Sequence, residues 1–314
     1  MQAVSYESYG DRNVMHLVEV ETPTPRHGEL LVKVHATSIN PVDGKVRRGE
    51  LKLIAGGHWP KRPGLDFCGT VAELGPRVAS LSVGDRVYGA AKSMSDGAMA
   101  EYAVVNASAI AKAPAKLDDV TVASVPVVAN AALQTLRDNA KVKKGDRVLV
   151  NGCTGGVGIF ALQLAKRMGA HVTGVCSTEG VALARGLGAD EIIDYRKQSI
   201  FDRGECYHSI LELSGRLTFE DAHALLDAHG IYVDFSPGPA SLIANTIANP
   251  FRSHQHVFAM TAAETAELES LATMLNEGEL QPPPVKAFPL EQFRSAFELA
   301  EHGGTVGKVA VRIP

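Results

Sequence analysis

The sequence predicts an α/β protein with two domains, a β-rich unit and then a parallel sheet with helices on both faces. Short β-like runs separated by Gly and Pro fill the first part, up to about residue 115. From about residue 118, apolar strands alternate with Ala-rich helical stretches. A glycine cluster at 151–160, NGCTGGVGIF, stands between one of these strands and the helical pattern after it. With 314 residues, the chain has room for two domains of ordinary size.

The individual elements follow from these patterns in chain order. The first part, a small barrel or sandwich, has β-like runs at 30–35, 69–73, 86–88 and 101–105. The second part has predicted helices at 129–139 and 160–168, and predicted strands at 147–150, 172–175, 191–194 and 231–235. The pattern breaks near Asn249 and Pro250, after which a helix at 290–302 and a strand at 307–313 close the chain.

Composition excludes several classes of function. The formal net charge is −4, with 31 basic and 35 acidic residues spread along the chain, so no basic stripe is available for nucleic acid. No apolar run approaches the roughly 20 residues of a membrane span, and the N-terminus does not resemble a signal peptide. The four cysteines show no Cys-x-x-Cys spacing, which favours reduced thiols over a disulfide framework or a zinc knot. We therefore expect a cytoplasmic protein without a membrane or nucleic-acid partner.

The glycine cluster has the spacing and the surroundings of a dinucleotide-binding turn. Gly152, Gly155 and Gly158 form G-x-x-G-x-x-G between a predicted strand and a predicted helix. Small residues allow the backbone to approach a pyrophosphate, and the helix N-terminus favours its negative charge. This predicts phosphate contacts from the following residues: Thr154, Gly155, Gly156 and Val157. The alternative is a tight strand-to-helix turn that binds no ligand.

The end of the next strand favours NADPH over NADH. An NAD site usually has an acid there for the ribose 2′-hydroxyl, but this strand leads into Ser177, with no acid before Glu179. An uncharged hydroxyl leaves room for a 2′-phosphate, to which Tyr195 and Arg196 can offer a hydroxyl and a positive charge. Glu179 works against this preference, and Ser177 is equally suited to cap the helix after it.

Several further motifs occur in a fixed order along the chain. They are Asn40-Pro41-Val42-Asp43, Pro63-Gly64-Leu65-Asp66-Phe67-Cys68-Gly69, Val83-Gly84-Asp85-Arg86-Val87-Tyr88-Gly89, Ala123-Ser124-Val125-Pro126, the glycine turn, Leu187-Gly188-Ala189-Asp190 and Gly307-Lys308. Together they resemble the zinc-independent quinone oxidoreductase branch of the medium-chain dehydrogenase/reductase superfamily, over essentially the whole chain. The resemblance implies a GroES-like β-barrel domain at 1–117, a Rossmann NADP-binding domain at 118–250, and a return of the chain at 251–314 that completes the catalytic domain. It also implies nicotinamide in the cleft between the domains and a homodimer.

The resemblance further implies chemistry without a metal. Zinc-dependent relatives use a Cys and a Gly-His-Glu stretch as ligands, where this chain has Asn40 and Gly64-Leu65-Asp66. His254 and His256 are a weak metal signal, and a packed or solvated pair is the simpler interpretation. Without zinc, hydride transfer from NADPH to a quinone or an α,β-unsaturated carbonyl remains accessible.

Site residues are assigned by the same resemblance. Lys45 is expected to face the substrate carbonyl, although a solvent-facing lysine is an equal alternative. Asn40 is expected to border the nicotinamide and the substrate, while Asp43 is expected to be structural. Further expected cofactor contacts are Val127, Asn130 and Lys308. The chain departs from many quinone reductases, which carry Tyr in place of Lys45 and Thr in place of Ala131. The walls of the substrate pocket are expected to come from two segments, 51–62, which includes Trp59, and 251–258.

Two other functions stay open at this level. An enoyl-thioester reductase shares the fold and the cofactor, but usually has a Tyr near residues 45–51, where this chain has none. A protein of another class, a non-catalytic NADPH-binding or crystallin-like protein, would keep the nucleotide site without turnover.

Overall fold

A computed structural model describes residues 1–56, 58–235, 249 and 252–314. The chain forms two compact units, one made of residues 1–130 with 262–314 and the other of residues 131–261. The first unit extends beyond predicted residue 117 because Asp119 pairs with Arg86 and His35 of that unit. The predicted boundary at 250/251 falls on Pro250 and Phe251, which lie outside the described residues.

The described residues form the following elements. The strands of the first unit are β1 (Gln2–Ser5), β2 (His16–Glu19), β3 (Glu29–Ile39), β4 (Asp66–Leu74), β5 (Arg86–Ala90), β6 (Tyr102–Asn106), β7 (Ile110–Lys112), β14 (Val285–Pro289) and β15 (Lys308–Arg312). Those of the second unit are β8 (Arg147–Asn151), β9 (His171–Cys176), β10 (Glu191–Asp194), β11 (Tyr207–Glu212), β12 (Leu226–Asp234) and β13 (Gln255–Phe258). The helices are α1 (Pro41–Arg47), α2 (Asp119–Ala123), α3 (Pro126–Gln134), α4 (Gly156–Arg167), α5 (Val181–Gly186), α6 (Phe219–Ala222), α7 (Thr265–Glu277) and α8 (Phe293–His302).

The first unit is built on a mostly antiparallel sheet. Its described strands run in the order β14-β15-β3-β4-β5-β7, and β6 pairs with β3. Because β15 lies antiparallel to β3, the C-terminal part of the chain completes the sheet that the N-terminal part begins. Apolar side chains from both parts share one core, including Val32, Phe67 and Val311 from the sheet and Phe293 and Phe297 from α8. This shared core makes the two segments of the chain one folding unit.

The second unit contains the predicted parallel sheet. Its described strands are all parallel, in the order β10-β9-β8-β11-β12-β13. The chain runs outward from β8 in one direction and then returns to lay β11 on its other side, so β8 borders the switch point at which nucleotides bind in such sheets. The predicted α/β class is therefore confirmed.

Several elements were not predicted from the sequence. Strand β11 has the sequence YHSILE, in which His208 and Ser209 interrupt the apolar run, yet Ser209 is buried between β8 and β12. Helix α7 and strands β13 and β14 were also missed, so the prediction that one helix and one strand close the chain was wrong. No helix among the described residues is both long and apolar enough to span a membrane.

Candidate active site

A buried carboxylate, Asp66, organises the candidate site of the first unit. It stands at the start of β4 with no solvent exposure. One of its oxygens accepts hydrogen bonds from the Ser38 hydroxyl and the Asn40 amide, each at 2.7 Å. The other accepts from the backbone N–H of Val127 at 2.7 Å, in the first turn of α3. A carboxylate at a helix N-terminus is favourable because the helix dipole is positive there.

Lys308 supplies the positive charge of this cluster. Its ammonium group donates to the Asn40 side-chain oxygen at 2.6 Å and to the Ile39 carbonyl at 3.0 Å, and it lies 3.5 Å from Asp66. Burial lowers the pKa of Lys308, while the Asp66 and Asp43 carboxylates act in the opposite direction. The side-chain amide of Asn40 is therefore held at both ends, by an ammonium on its oxygen and a carboxylate on its nitrogen. We call Ser38, Asn40, Asp66, Val127 and Lys308 the Asp66 network.

Asp43 fixes the start of α1. Its carboxylate accepts from the backbone N–H of Asn40 and of Gly64, each at 2.8 Å. Burial raises the pKa of Asp43 to about 6, against the effect of these hydrogen bonds. These contacts agree with the structural part expected for Asp43, because they hold the Asn-Pro turn against the loop before β4.

The other predicted residues of this unit lie close to the network along the chain. Lys45 is half-buried in α1, five residues after Asn40. Asn130 follows Val127 by one turn of α3 and donates its amide to the Ala262 carbonyl. The side-chain oxygen of Asn130 is buried and has no hydrogen-bond partner among the described residues. The structure thus joins Asn40, Val127 and Lys308 directly, and it leaves an acceptor at Asn130 open.

Sequence reasoning missed Asp66 as a site residue. It lies within the motif at residues 63–69, where the sequence indicates it only as part of the stretch that replaces the Gly-His-Glu of zinc-dependent relatives. Its signal in the sequence is an acidic residue placed between apolar neighbours, Leu65 and Phe67, at the start of a strand. A buried acid in such a position requires partners, which indicates a network even before the partners are known.

The predicted pocket wall at 51–62 is only partly packed. Leu53 and Ile54 are exposed at 85% and 64%, which is unusual for large apolar side chains. Trp59 packs edge-on against Tyr9, with ring centroids 4.9 Å apart, and Tyr9 in turn lies against Gly49 just after α1. The other predicted wall, 251–258, begins outside the described residues.

The glycine turn of the second unit has the predicted strand-turn-helix form. It joins the end of β8 to the start of α4, and the backbone N–H groups of Gly152 and Cys153 both donate to the Val175 carbonyl at 3.0 Å. Gly152 has a φ of +93°, a conformation that side chains disfavour. A Cβ atom on Gly158 would lie 2.2 Å from the Gly152 carbonyl oxygen, so glycine is required there for the helix to meet the turn.

The residues predicted to contact phosphate lie within this turn. Gly155 precedes the first residue of α4, Gly156, and Val157 follows in the first helical turn. The first N–H groups of a helix have no partner within the helix, so they are available to an anion. Thr154 is buried, with its side chain turned toward Gly180 after β9.

Two thiols meet behind the glycine turn. Cys153 of the turn and Cys176 at the end of β9 are free and buried. The Cys153 thiol donates a hydrogen bond to the Cys176 sulfur, which lowers the pKa of Cys176 and raises that of Cys153. A Cβ atom on Gly174 would lie 2.7 Å from the Cys153 sulfur, so a glycine in β9 makes room for this pair.

The ribose side of the second unit contains an ion pair. Ser177 is buried directly after β9, and its hydroxyl donates to the carboxylate of Glu179. Glu179 also pairs with Arg196, at 2.6 Å. Its own backbone N–H, the Ser177 hydroxyl and the Arg196 guanidinium together lower the pKa of the Glu179 carboxyl. Ser177 does not cap the following short helix with its side chain.

Tyr195 lies at the same edge, directly after β10, and is 45% exposed. The neighbouring Asp194 accepts from the Thr178 hydroxyl at 2.7 Å and pairs with Lys197 at 3.3 Å. The structure thus brings Ser177, Glu179, Tyr195 and Arg196 to one edge of the sheet, and their contact with adenosine stays a prediction.

The two histidines that gave a weak metal signal pack in an aromatic cluster. The His256 ring stacks on Phe219, with centroids 4.6 Å apart, and His254 meets His223 edge-on at 5.0 Å. Among the residues that the structure describes, no group of three or more His, Cys, Asp or Glu side chains is arranged to hold a metal ion.

Family comparisons agree with both units. Residues 26–115 match the alcohol dehydrogenase GroES-like domain, residues 187–311 match the family described as zinc-binding dehydrogenase, and residues 116–232 match glutamate/leucine/phenylalanine/valine dehydrogenase. The first unit therefore has the GroES-like fold and the second the Rossmann fold. A glycine turn at the switch point of such a sheet, with a GroES-like unit on the same chain, defines a nucleotide-dependent dehydrogenase or reductase.

Individual relatives narrow the class further. The chloroplast envelope quinone oxidoreductase homolog of Arabidopsis thaliana is 30% identical, over 99% of this chain and 98% of the relative. The solved structure of the quinone oxidoreductase from Coxiella burnetii has a TM-score of 0.87 at 29% identity, covering 100% of this chain and 99% of that one. A mycobacterial protein solved in complex with NADPH has a TM-score of 0.84 at 27% identity, with both chains fully covered.

This chain belongs to the quinone oxidoreductase branch of the medium-chain dehydrogenase/reductase superfamily. It is an NAD(P)H oxidoreductase of that superfamily, and its substrates are small molecules.

Proposed function

We propose that this protein is an NADPH-dependent reductase that transfers hydride to quinones or α,β-unsaturated carbonyl compounds without zinc. The observation that carries the proposal is the glycine turn at the end of β8, next to a β9 strand that leads into Ser177 rather than an acid. The turn suits a pyrophosphate, and the serine leaves room for a 2′-phosphate. The NADPH complex of the mycobacterial relative supports the same choice of cofactor.

Residues of the first unit fit the nicotinamide end of such a cofactor. The side-chain oxygen of Asn130, which has no hydrogen-bond partner in the part of the chain that the structure describes, is an acceptor of the kind that a carboxamide N–H requires. Asn40 is held rigidly by Asp66 and Lys308, which suits a residue that borders a reacting ring. When bound, NADPH supplies the hydride.

Lys45 is the proposed partner of the substrate oxygen. When a quinone or enone accepts hydride, negative charge develops on its carbonyl oxygen, and an ammonium group stabilises that charge by a hydrogen bond. Lys45 then either keeps its proton as a fixed positive charge or returns it to the oxygen.

The metal-free part of the proposal is supported by the chemistry of the Asp66 network. Asn40 stands near the position of the ligand Cys of zinc-dependent relatives, and Asp66 ends the Gly64-Leu65-Asp66 stretch that replaces their Gly-His-Glu. Here the Lys308 ammonium lies 2.6 Å from one and 3.5 Å from the other. A divalent cation in the same place would meet a positive charge and an amide nitrogen, which is not a zinc ligand set.

The decisive experiment measures oxidation of NADPH by the purified protein with a 1,4-quinone, a simple enone and an enoyl thioester in turn. We expect turnover with the quinone or the enone, and slower turnover with NADH. Tight NADPH binding without turnover of any acceptor would favour a non-catalytic NADPH-binding or crystallin-like protein. Preference for the enoyl thioester would favour the enoyl-thioester reductase, and stoichiometric zinc in a metal analysis would refute the metal-free mechanism.

Lys45→Ala tests the assigned role directly. We expect kcat to fall about 100-fold, with little change in the KM for NADPH, because the lysine is required in the transition state and not for cofactor binding. Lys33→Ala is the matched control, since Lys33 is an exposed lysine of the same unit, on β3, outside the site and the predicted pocket walls. An unchanged kcat in Lys45→Ala would return Lys45 to the solvent-facing alternative. The predicted cytoplasmic location and homodimer stay predictions.

A further inference from the structure

Arg216 lies at the ribose edge of the second unit, although no sequence motif marks it. It follows β11 by four residues and is exposed. Its guanidinium carbon is 6.0 Å from the centre of the Tyr195 ring, within the range of a cation–π contact. Arg216 and Tyr195 are 21 positions apart in the chain.

The strand order of the sheet shows where this contact lies. Tyr195 follows β10 and Arg216 follows β11, and these strands are separated in the sheet by β9 and β8. Three strand spacings amount to about 14 Å. The two side chains therefore reach toward each other over the ends of β8 and β9, which are the ends that carry the glycine turn and Ser177.

The loop that carries Arg216 is fastened to the glycine turn. The backbone N–H of Arg216 donates to Glu212 at 3.3 Å and to the Ser214 hydroxyl at 3.2 Å. Buried Glu212 accepts from the side chain of Asn151 at 2.5 Å, and Asn151 directly precedes Gly152 of the turn. The Arg216 backbone thus has a defined position relative to the glycine turn.

Among the described residues at this edge, Arg216 differs from Arg196 and Lys197 in the pairing of its charge. Arg196 is paired with Glu179 at 2.6 Å and also hydrogen-bonds the Tyr195 hydroxyl, so its charge is already balanced by a carboxylate. Lys197 is paired with Asp194 at 3.3 Å. The Arg216 guanidinium has no carboxylate partner within the described part of the chain; its contact there is the Tyr195 ring. An arginine held over an aromatic ring keeps its donor groups free for a phosphate, which it binds through two parallel hydrogen bonds.

We propose that Arg216 and Tyr195 form the recognition pair for the 2′-phosphate of NADPH, in place of the pair Tyr195 and Arg196. This inference rests on the proposed use of NADPH. The phosphate oxygens accept from the Arg216 guanidinium and the Tyr195 hydroxyl, while Arg196 neutralises Glu179 and so limits the repulsion between that carboxylate and the phosphate. NADH, without the 2′-phosphate, gains nothing from Arg216.

The test compares 2′,5′-ADP with 5′-AMP, two probes that differ only in the 2′-phosphate, by isothermal titration calorimetry on the full chain. We expect wild-type protein to bind 2′,5′-ADP more tightly. Arg216→Ala should weaken 2′,5′-ADP about 10- to 100-fold, because a charge-assisted hydrogen-bonding partner is lost, and should change 5′-AMP less than about twofold. Arg216→Lys should recover part of the loss.

Arg185→Ala is the matched control, because Arg185 is an exposed arginine of the same unit near the end of α5. It should leave both affinities unchanged. Equal weakening of both probes by Arg216→Ala, no weakening of either, or a larger selective loss in Arg196→Ala would overturn the assignment, as would equal affinity of the wild type for the two probes.

Quinone turnover separates this inference from the proposed function. Turnover that persists in Arg216→Ala with an unchanged KM for NADPH would remove Arg216 from the site and leave the reductase in place. Selective loss of 2′,5′-ADP binding in a protein that reduces neither quinone nor enone would support Arg216 and remove the reductase.

Discussion

The charged groups of the Asp66 network in the first unit differ in burial from those of the ribose edge in the second. The ribose edge consists of Ser177, Glu179, Tyr195, Arg196 and Arg216. In the network, the carboxylate and the ammonium are buried, and each is held by several hydrogen bonds. At the edge, the ions are exposed and meet in single pairs. Because the network is buried, loss of one of its contacts leaves a desolvated polar group and lowers the free energy of unfolding strongly. Water and salt screen the charges of the edge, so loss of a contact there has a smaller effect. Loss of a contact in the network should therefore cost more stability than loss of a contact at the ribose edge.

Removing the carboxylate of the network should have the largest effect. Asp66→Ala leaves the Lys308 ammonium buried without its counter-ion and removes the acceptor of Ser38, Asn40 and Val127. We expect the free energy of unfolding to fall by about 3–5 kcal/mol, measured by urea denaturation. Ser38→Ala, which removes one hydrogen bond to the same carboxylate, should cost only about 1 kcal/mol. Equal losses in the two variants would contradict a network centred on Asp66.

The pH dependence of the free energy of unfolding should show the raised pKa of Asp43. Burial raises its pKa to about 6, so the folded state keeps a proton that the unfolded state loses above about pH 4. The stability that this proton contributes is full below pH 4 and is lost as the pH rises through 6, by about 3 kcal/mol in all. Relative to Asp43→Asn, the wild type should become less stable by this amount between pH 4 and 7 in urea titrations. A difference that stays flat with pH would show that Asp43 ionises normally.

Gly158→Ala should disturb the glycine turn by a smaller amount. The added methyl group would lie 2.2 Å from the Gly152 carbonyl oxygen and 2.7 Å from the Cys153 Cα, both backbone atoms. We expect a loss of about 1–3 kcal/mol in thermal or urea unfolding, together with weaker NADPH binding. Gly186→Ala in α5 is the matched control, since its methyl group would meet nothing within 4 Å. Equal losses of stability in the two variants would show that the turn accommodates a methyl group at position 158, against the distances given above.

Glu179→Gln should have the smallest effect. It removes a negative charge beside the proposed 2′-phosphate and releases Arg196 from its ion pair. Both groups are exposed, so we expect the preference for NADPH over NADH to rise only a few-fold, and less at high salt. The measurement is the ratio of kcat/KM for the two cofactors at low and high ionic strength. A fall in that ratio would mean that Glu179 aids recognition of the 2′-phosphate, for example by orienting Arg196.

Local patterns were sufficient for much of the fold. The glycine turn was predictable because strand, turn and helix are adjacent in the chain and each has its own local signal. Strand β11 is not predictable in this way, because His208 and Ser209 interrupt its apolar run, and only the neighbouring strands β8 and β12 show that Ser209 is buried. Asp66 stood within a recognised motif, but its partners are at 38, 40, 127 and 308, so its part in the site became visible only with the fold.

The α/β class, the place of the glycine turn and the family can be read from the amino-acid sequence, since they depend on short-range periodicity and on motifs in a fixed order. Which charged side chains form ion pairs can be seen only in the tertiary structure. Arg196, next to Tyr195 in the chain, hydrogen-bonds the Tyr195 hydroxyl but has its charge paired with Glu179, whereas Arg216, 21 positions away, contacts the Tyr195 ring and has no carboxylate partner among the described residues. The physical reason is that ion pairing depends on distance in space, and a parallel sheet brings the ends of separate strands to one edge.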